Sequence, residues 1–346
     1  MSQDCALPIK ISWLTAAFGE RDLHEELCRL NTPIAYIVFN RPRHTRESFA
    51  VIRAQRPTQL FIIADGPRTN HPTDAERCQE VREIVAQVDW PCQVKHHYAE
   101  VNMGCKVRVS SGLDWVFSQV EQAIVLEDDC VPHPDFFSFC STLLSKYAMD
   151  DRVWVITGNN FQDGQVRGTA SYYFSKYNHC WGWASWRRAW QHYRVDMPNW
   201  PTYKNSPAWK RTAPDRIERK VWTDIFDRVA RGEIDTWDYQ WTFCAWEHGG
   251  LTATPNVNLV TNIGFGPDAT HTVTSLDQSG LAVGAIGDVV HPRKVGQDIR
   301  ADRHVFNRNF GGREHPDRFY NKLVKRYKQL LRLPAWLQKK YRSIVQ

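Results

Sequence analysis

Apolar residues in the first half of the chain fall into short runs of five or six, separated by longer stretches with helical spacing. Ile34 to Phe39 is an uninterrupted apolar run suited to a buried strand, and Leu60 to Ala64 is a second. Between them, Phe49 and Ile52 give Arg43 to Gln55 the spacing of a helix. Val81, Ile84, Val85 and Val88 place one apolar face on a charged helix from about Thr73 to Val88. Val94 to Tyr98 reads as a third strand, Val107 to Val120 as a helix and Ala123 to Leu126 as a fourth strand. Phe136 to Tyr147 is again helical, and Val153 to Ile156 extended. Strands alternating with helices at this spacing predict right-handed crossovers and an α/β fold with a mostly parallel sheet flanked by helices. Beyond Ser171 the pattern loosens into a tryptophan-rich stretch, with helices expected from Asp215 to Arg231 and from Trp237 to His248. With no repeat and no low-complexity linker, we expect an extension over residues 1–31, a catalytic domain over 32–275 and a C-terminal extension over 276–346.

Composition narrows the class without changing this layout. In 346 residues, 42% hydrophobic and 24% charged is ordinary for a soluble globular protein. Fifteen tryptophans exceed what the core needs, and they favour packing with some role in lining a site. Nine scattered cysteines form neither a Cys-x-x-Cys pair nor a zinc-spaced cluster, which points to reduced thiols and a cytoplasmic location. The net charge of +6 is localised. Arg313 to Gln346 holds ten basic and two acidic residues, a net +8, so the rest of the chain sums to −2. Such a distribution argues against a nucleic-acid binder. Within Arg318 to Gln346, Phe319, Leu323, Tyr327, Leu330 and Trp336 alternate with the basic residues as on an amphipathic helix. The tail either lies on an anionic membrane surface, which we favour and which would place the protein peripherally on the inner face of the membrane, or packs on the domain.

The chemistry concentrates at the strand ends. Glu127, Asp128 and Asp129 directly follow the fourth strand, and open parallel sheets bind ligands outside the carboxyl ends of their strands. Adjacent carboxylates repel one another, and a hard cation, Mn²⁺ or Mg²⁺, offsets that repulsion. Asn40-Arg41-Pro42 and Asp65-Gly66 end the first two strands, where a base and ribose could lie across the crevice. There is no Gly-x-Gly-x-x-Gly after the first strand and no Gly-Lys-Ser/Thr loop, which removes dinucleotide oxidoreductases and P-loop kinases.

The stretch from Asn102-Met103-Gly104-Cys105-Lys106 through Leu126-Glu127-Asp128-Asp129-Cys130 to Pro134-Asp135-Phe136-Phe137 resembles the N-acetylglucosaminyltransferase I superfamily of GT-A enzymes and their bacterial relatives. Weaker matches extend it to Asn40-Arg41-Pro42, Asp65, Gly182-Trp183, Trp237-Asp238-Tyr239-Gln240-Trp241, Gly264-Phe265-Gly266 and Ala269-Thr270-His271-Thr272. The resemblance implies a GT-A (Rossmann-like) fold and a metal-dependent, inverting transfer of sugar from a nucleotide diphosphate donor, UDP favoured, to a glycan or lipid-linked glycan. It implies Asp129 as metal ligand, Asp128 near the ribose and Glu127 near the donor sugar. Asn40, Arg41, Asp65, Lys106, Arg108, Gly182 and Trp183 would hold the donor, and Asp238 would be the catalytic base, partly desolvated beside Trp237 and Trp241. His271 is a further candidate metal ligand. A sugar-phosphate nucleotidyltransferase and a non-catalytic sugar-binding relative are the alternatives. The first lacks its Gly-rich loop here.

Overall fold

The computed structural model describes residues 29–265 and 282–318. His271, the N-terminal extension before Arg29 and the basic stripe beyond Arg318 lie outside the described residues. The first half runs β1 (Ile34–Val38), α1 (Pro42–Gln55), β2 (Gln59–Ala64), α2 (Asp74–Val85), β3 (Gln93–Tyr98), α3 (Gly104–Phe117) and β4 (Gln122–Glu127). Then come β5 (Cys130–Pro132), α4 (Pro134–Lys146), β6 (Val153–Thr157), β7 (Tyr172–Ser175) and β8 (Trp183–Trp186). The remainder is mostly helical: α5 (Arg187–Trp190), α6 (Trp200–Tyr203), α7 (Pro207–Thr212), α8 (Arg216–Ala230) and α9 (Asp238–Glu247), then β9 (Leu251–Pro255), β10 (Val260–Asn262) and α10 (Ile299–Asn309).

Eight strands form one sheet in the order β3-β2-β1-β4-β8-β6-β9-β7. β1 pairs in parallel with both β2 and β4, β2 pairs in parallel with β3, and β6 with β9. Only β8 and β7 run against the others. The α/β architecture with a mostly parallel sheet is therefore present. Successive strands step outward from β1 to β2 and β3, and the chain then returns to place β4 on the other side of β1. That reversal opens a crevice at the carboxyl ends of β1 and β4.

β1 is buried along its whole length, and its alternate side chains feed two cores. Ile34, Tyr36 and Val38 pack with α1, α2 and α4, whereas Ala35 and Ile37 join α3 and a tryptophan cluster on the opposite face. A third core beneath α8 and α9 is aromatic, with Trp200, Trp209, Trp222, Phe226 and Trp246 buried, and α10 adds Val305 and Phe306. Those tryptophans belong to packing, which accounts for much of their excess.

The loose pattern beyond Ser171 hides three strands of this sheet. β7 and β8 are four residues long and buried at every position, so no alternation marks them. β9 is likewise almost wholly buried. A short run buried on both faces carries no period to read.

Candidate functional site

The register fixes what meets at the crevice. Ile37 of β1 lies beside Glu127 of β4, and Val38 lies beside Ala64 of β2. Residues Phe39–Arg41, Asp65 and Glu127–Asp129 therefore leave the sheet together. All but Asn40 line a cleft of ≈ 380 Å³.

Arg41 bridges the acids: its guanidinium donates to both oxygens of Asp128 and, at 3.0 Å, to Oδ2 of Asp129. Asp128 is 2% exposed, and its carbonyl accepts from Ser48 Oγ at 2.8 Å. Burial raises the Asp128 carboxyl, against the pull of Arg41. Arg41 bonds to Asp128 and Asp129 and lowers Glu127 only through its charge. Burial first, then the Asp129 and Asp128 charges, push Glu127 up to about 8. Three carboxylates against one guanidinium leave the strand end short of positive charge. Among the described residues no three His, Cys, Asp or Glu side chains converge as metal ligands. This donor set fits a hard ion that takes one or two carboxylates and fills its shell from ligand oxygens and water, not a closed structural site. Asp129, the more open of the Arg41-bonded pair, and Glu127 could hold such an ion.

A small two-stranded sheet closes this end. β10 pairs antiparallel with β5, and Ile263 N–H donates to the Asp129 carbonyl at 2.9 Å. The strand pair lays Gly264 against the acids so closely that a Cβ there would come 2.2 Å from Asp129 Oδ2 and 2.9 Å from Arg41 Nη1. Only glycine permits that approach.

Asp65 stands at the other side of the crevice, 5% exposed. Its Oδ1 accepts from Gly66 N–H and Met103 N–H, and its Oδ2 from Asn102 Nδ2 and Gly104 N–H. Burial raises its pKa, while these donors pull it back. Asp65 thus supplies from a neighbouring strand the acceptor that caps the start of α3. This explains why α3 begins at Gly104, three residues before its apolar spacing predicts. Beside it, Arg68 pairs with the buried carboxylate of Asp74, its guanidinium 5.4 Å from the Phe39 ring. Asp74 is held at about 2 by that guanidinium.

The facing wall comes from the start of α9. Asp238 Oδ1 accepts from Thr236 Oγ1 and from Tyr239 N–H, whereas Oδ2 has a thiol, Cys180 Sγ, at 3.9 Å. Trp181 lines the same side and meets Phe265 edge-on at 5.4 Å. Cys105 and Cys180 also face the cleft, and burial raises both thiols, keeping them protonated.

No protein-family model and no curated protein matches the chain. Among solved structures, it is similar to a mannosyltransferase, PcManGT from Pyrobaculum calidifontis in complex with GDP-Man and Mn²⁺, at 12% identity and TM-score 0.34, covering 68% of this chain and 80% of that one. It is also similar to a 4-diphosphocytidyl-2C-methyl-D-erythritol synthase from Anaerococcus prevotii, at 8% identity and TM-score 0.35, covering 65% and 88%. An inositol-1-phosphate CTP transferase from T. maritima gives 9% identity and TM-score 0.34, with 69% and 90% covered. At these TM-scores the likenesses are too distant to assign chemistry, which rests on the cleft itself.

Of the residues singled out from sequence, the cleft brings together Arg41, Asp65, Arg108, Glu127, Asp128, Asp129 and Asp238. Four others are placed elsewhere. Asn40 is turned away, its Nδ2 donating to Asp74 at 2.7 Å. Lys106 sits off the cleft lining, 3.7 Å from Asp235. Gly182 adopts φ +71 and packs against Val260 and Leu126. Trp183 is 1% exposed within the tryptophan cluster, stacked 5.7 Å from Trp237. The cleft-facing member of that stretch is Trp181, two positions earlier. Trp241 is likewise core, so only Trp237 of the flanking pair reaches the cleft beside Asp238. Arg108 is 3% exposed and donates to the His97 carbonyl, while its Nε is buried without a partner. Sequence reading gave no site role to Arg68, Asn102, Trp181 or Phe265. Asn102 and Phe265 stand in motifs that carry the family resemblance, whereas Arg68 and Trp181 had no signal beyond proximity to strand ends.

Proposed function

We propose that the chain is a metal-dependent, inverting glycosyltransferase that uses a nucleotide diphosphate sugar. The observation that carries this is that one cleft is lined both by an acid-rich strand end, Glu127–Asp129, and by the carboxylates Asp235 and Asp238 at the start of α9. In this reading the nucleoside lies over the ends of β1 and β2, against Phe39, Arg68 and Asn102. Asp65 acts there by fixing the Asn102–Gly104 backbone, since both its oxygens are already engaged. Arg41 orients Asp128 and Asp129 and offers a fixed positive charge to the diphosphate. Mn²⁺ or Mg²⁺, held by Asp129 with Glu127 beside it, would neutralise the leaving diphosphate.

Asp238 Oδ2 takes the proton of the acceptor hydroxyl. The acceptor oxygen then bonds to the anomeric carbon as the bond from that carbon to the diphosphate breaks, its electron pair leaving with the phosphate. Oδ1, tied to Thr236 and Tyr239, keeps the carboxylate oriented for this transfer. Trp181 and Phe265 provide apolar faces for the sugar ring and exclude water. The acceptor is the hydroxyl of a glycan or lipid-linked glycan. The short connection between β1 and α1 speaks against the nucleotidyltransferase alternative. β1 ends at Val38 and α1 begins at Pro42, leaving no length for a triphosphate-cradling loop.

The test is calorimetric titration of UDP, GDP and CDP, with and without Mn²⁺, on wild type, Asp129→Ala and Asp238→Asn. Transfer from the matching nucleotide sugars is followed in parallel. The reading expects one nucleotide to bind only with metal and Asp129, and Asp238→Asn to keep that binding while losing transfer. Binding that ignores both metal and Asp129 would overturn it, and full transfer by Asp238→Asn would remove the base.

A further inference from the structure

The acids of the cleft already bond one cation, and it belongs to the chain. Arg41 Nη2 donates both to Asp128 Oδ1 and, at 3.0 Å, to Asp129 Oδ2. The two halves of this bridge are unequal. Asp128 is buried and accepts a further bond from Arg41 Nε, so the guanidinium is held there in a fork. Asp129 accepts from Nη2 alone and is more open, with 14% of its side chain exposed. Its other oxygen, Oδ1, faces the fully buried thiol of Cys130 at 3.6 Å. Oδ2 is therefore the oxygen left to an ion in the cleft, and Arg41 is on it.

The backbone around this bond is fixed on every side. The Arg41 carbonyl accepts from Thr45 N–H at 3.0 Å and from Thr45 Oγ1 at 2.9 Å. Ser48 holds the Asp128 carbonyl and Ile263 the Asp129 carbonyl. What can exchange is the side-chain bond between Nη2 and Asp129 Oδ2. A divalent ion drawn to Oδ2 meets a guanidinium already there, and two cations on one oxygen repel. The guanidinium also has capacity to spare. Arg41 lines the cleft with 17% of its side chain exposed, and its Nη1 meets no acceptor among the described residues.

We propose that Arg41 is a placeholder cation: a divalent ion gains Asp129 by displacing Nη2 from Oδ2, and the freed N–H turns to the diphosphate of the donor. The inference rests on the metal and donor reading given above. Asp128 keeps the guanidinium in place during the exchange. An ion arriving alone breaks an ion pair and leaves the freed N–H without a partner. An ion arriving with a diphosphate replaces that partner with a phosphate oxygen. Arg41 thus holds down the affinity for metal alone and couples metal binding to diphosphate binding.

The test is calorimetric titration of Mn²⁺ into the full chain, as wild type, Arg41→Gln and Arg41→Lys, alone and then with UDP, GDP or CDP present. Mn²⁺ alone should bind Arg41→Gln about tenfold tighter than wild type, or more. Arg41→Lys keeps the charge but not the fork, so it should also bind Mn²⁺ several-fold tighter, which a simple loss of nearby charge would not produce. The nucleotide that binds should tighten Mn²⁺ about tenfold more in wild type than in Arg41→Gln. Chelation of Mn²⁺ by the nucleotide itself is common to both and cancels. Equal or weaker Mn²⁺ binding in both variants would overturn the inference and leave the metal site standing, as would equal tightening by nucleotide. Mn²⁺ binding by none of the three, with or without nucleotide, would overturn it together with the metal-dependent reading. Should the variants fail to fold, side-chain NMR of isotope-labelled arginine in wild type reads the same exchange. Mg²⁺ with nucleotide should shift one guanidinium signal that it leaves unmoved in Asp129→Ala, and the absence of any such shift would overturn the inference.

Discussion

Glu127→Gln tests the charge imbalance at the strand end directly. Glutamine keeps the shape and removes the ionisable group. Glu127 is held at about 8 in the folded protein, against 4.5 for an ordinary glutamate. An acid with a raised folded-state pKa binds its proton more tightly when folded. Its contribution is therefore fully present below about 4.5 and is lost as pH rises through about 8. The full difference corresponds to about 5 kcal/mol. Because Glu127 keeps part of its surface open to cleft water, we expect about 2–4 kcal/mol to appear. Urea denaturation with a chelator at about pH 5 and about pH 8.5 measures it. The variant should match wild type at the lower pH and exceed it in stability by that amount at the higher. Mn²⁺ at the higher pH should narrow the gap by stabilising wild type preferentially. Equal stability at both pH values, or a less stable variant at the higher, would show that Glu127 is not under electrostatic strain. The case for a cation at Asp129 would then lose its physical basis.

Other substitutions separate the parts of the site. Gly264→Ala forces its Cβ into Asp129, so it should cost about 1–3 kcal/mol and weaken metal-dependent nucleotide binding at least tenfold by calorimetry. Unaltered binding would show that Asp129 need not hold its place. Asp65→Asn keeps the shape but sets an N–H₂ group against backbone donors. We expect a loss of about 2–3 kcal/mol in urea denaturation, and hydrogen exchange should show faster opening at the start of α3. Trp183→Ala should cost about 3–5 kcal/mol from the core, whereas Trp181→Ala should cost less and mainly weaken donor-sugar binding. The reverse ranking would contradict the placement of these two rings.

The legible part of the molecule is the part with period. β1, β2, β4 and α1 to α4 announced themselves because each of these strands is an apolar run ended by polar residues and each helix has a sided apolar pattern, whereas β3, QVKHHY, showed only through its place between two helices. The same feature placed the acid triplet, since a strand that stops in three carboxylates has few reasons to do so away from a ligand edge. Side-chain direction was not legible. Whether Trp181 or Trp183 faces the cleft depends on β8 starting at Trp183, and β8 has four buried residues with no alternation to phase it. Asp65 shows the same limit from another side. A polar residue after a strand reads equally as a ligand contact or a brace. Only the positions of Asn102, Met103 and Gly104, nearly forty residues later in the chain, decide that its oxygens are already taken. Long-range pairings of that kind leave no spacing in a sequence. This is why the cleft's location could be read in advance while the division of labour among its residues could not.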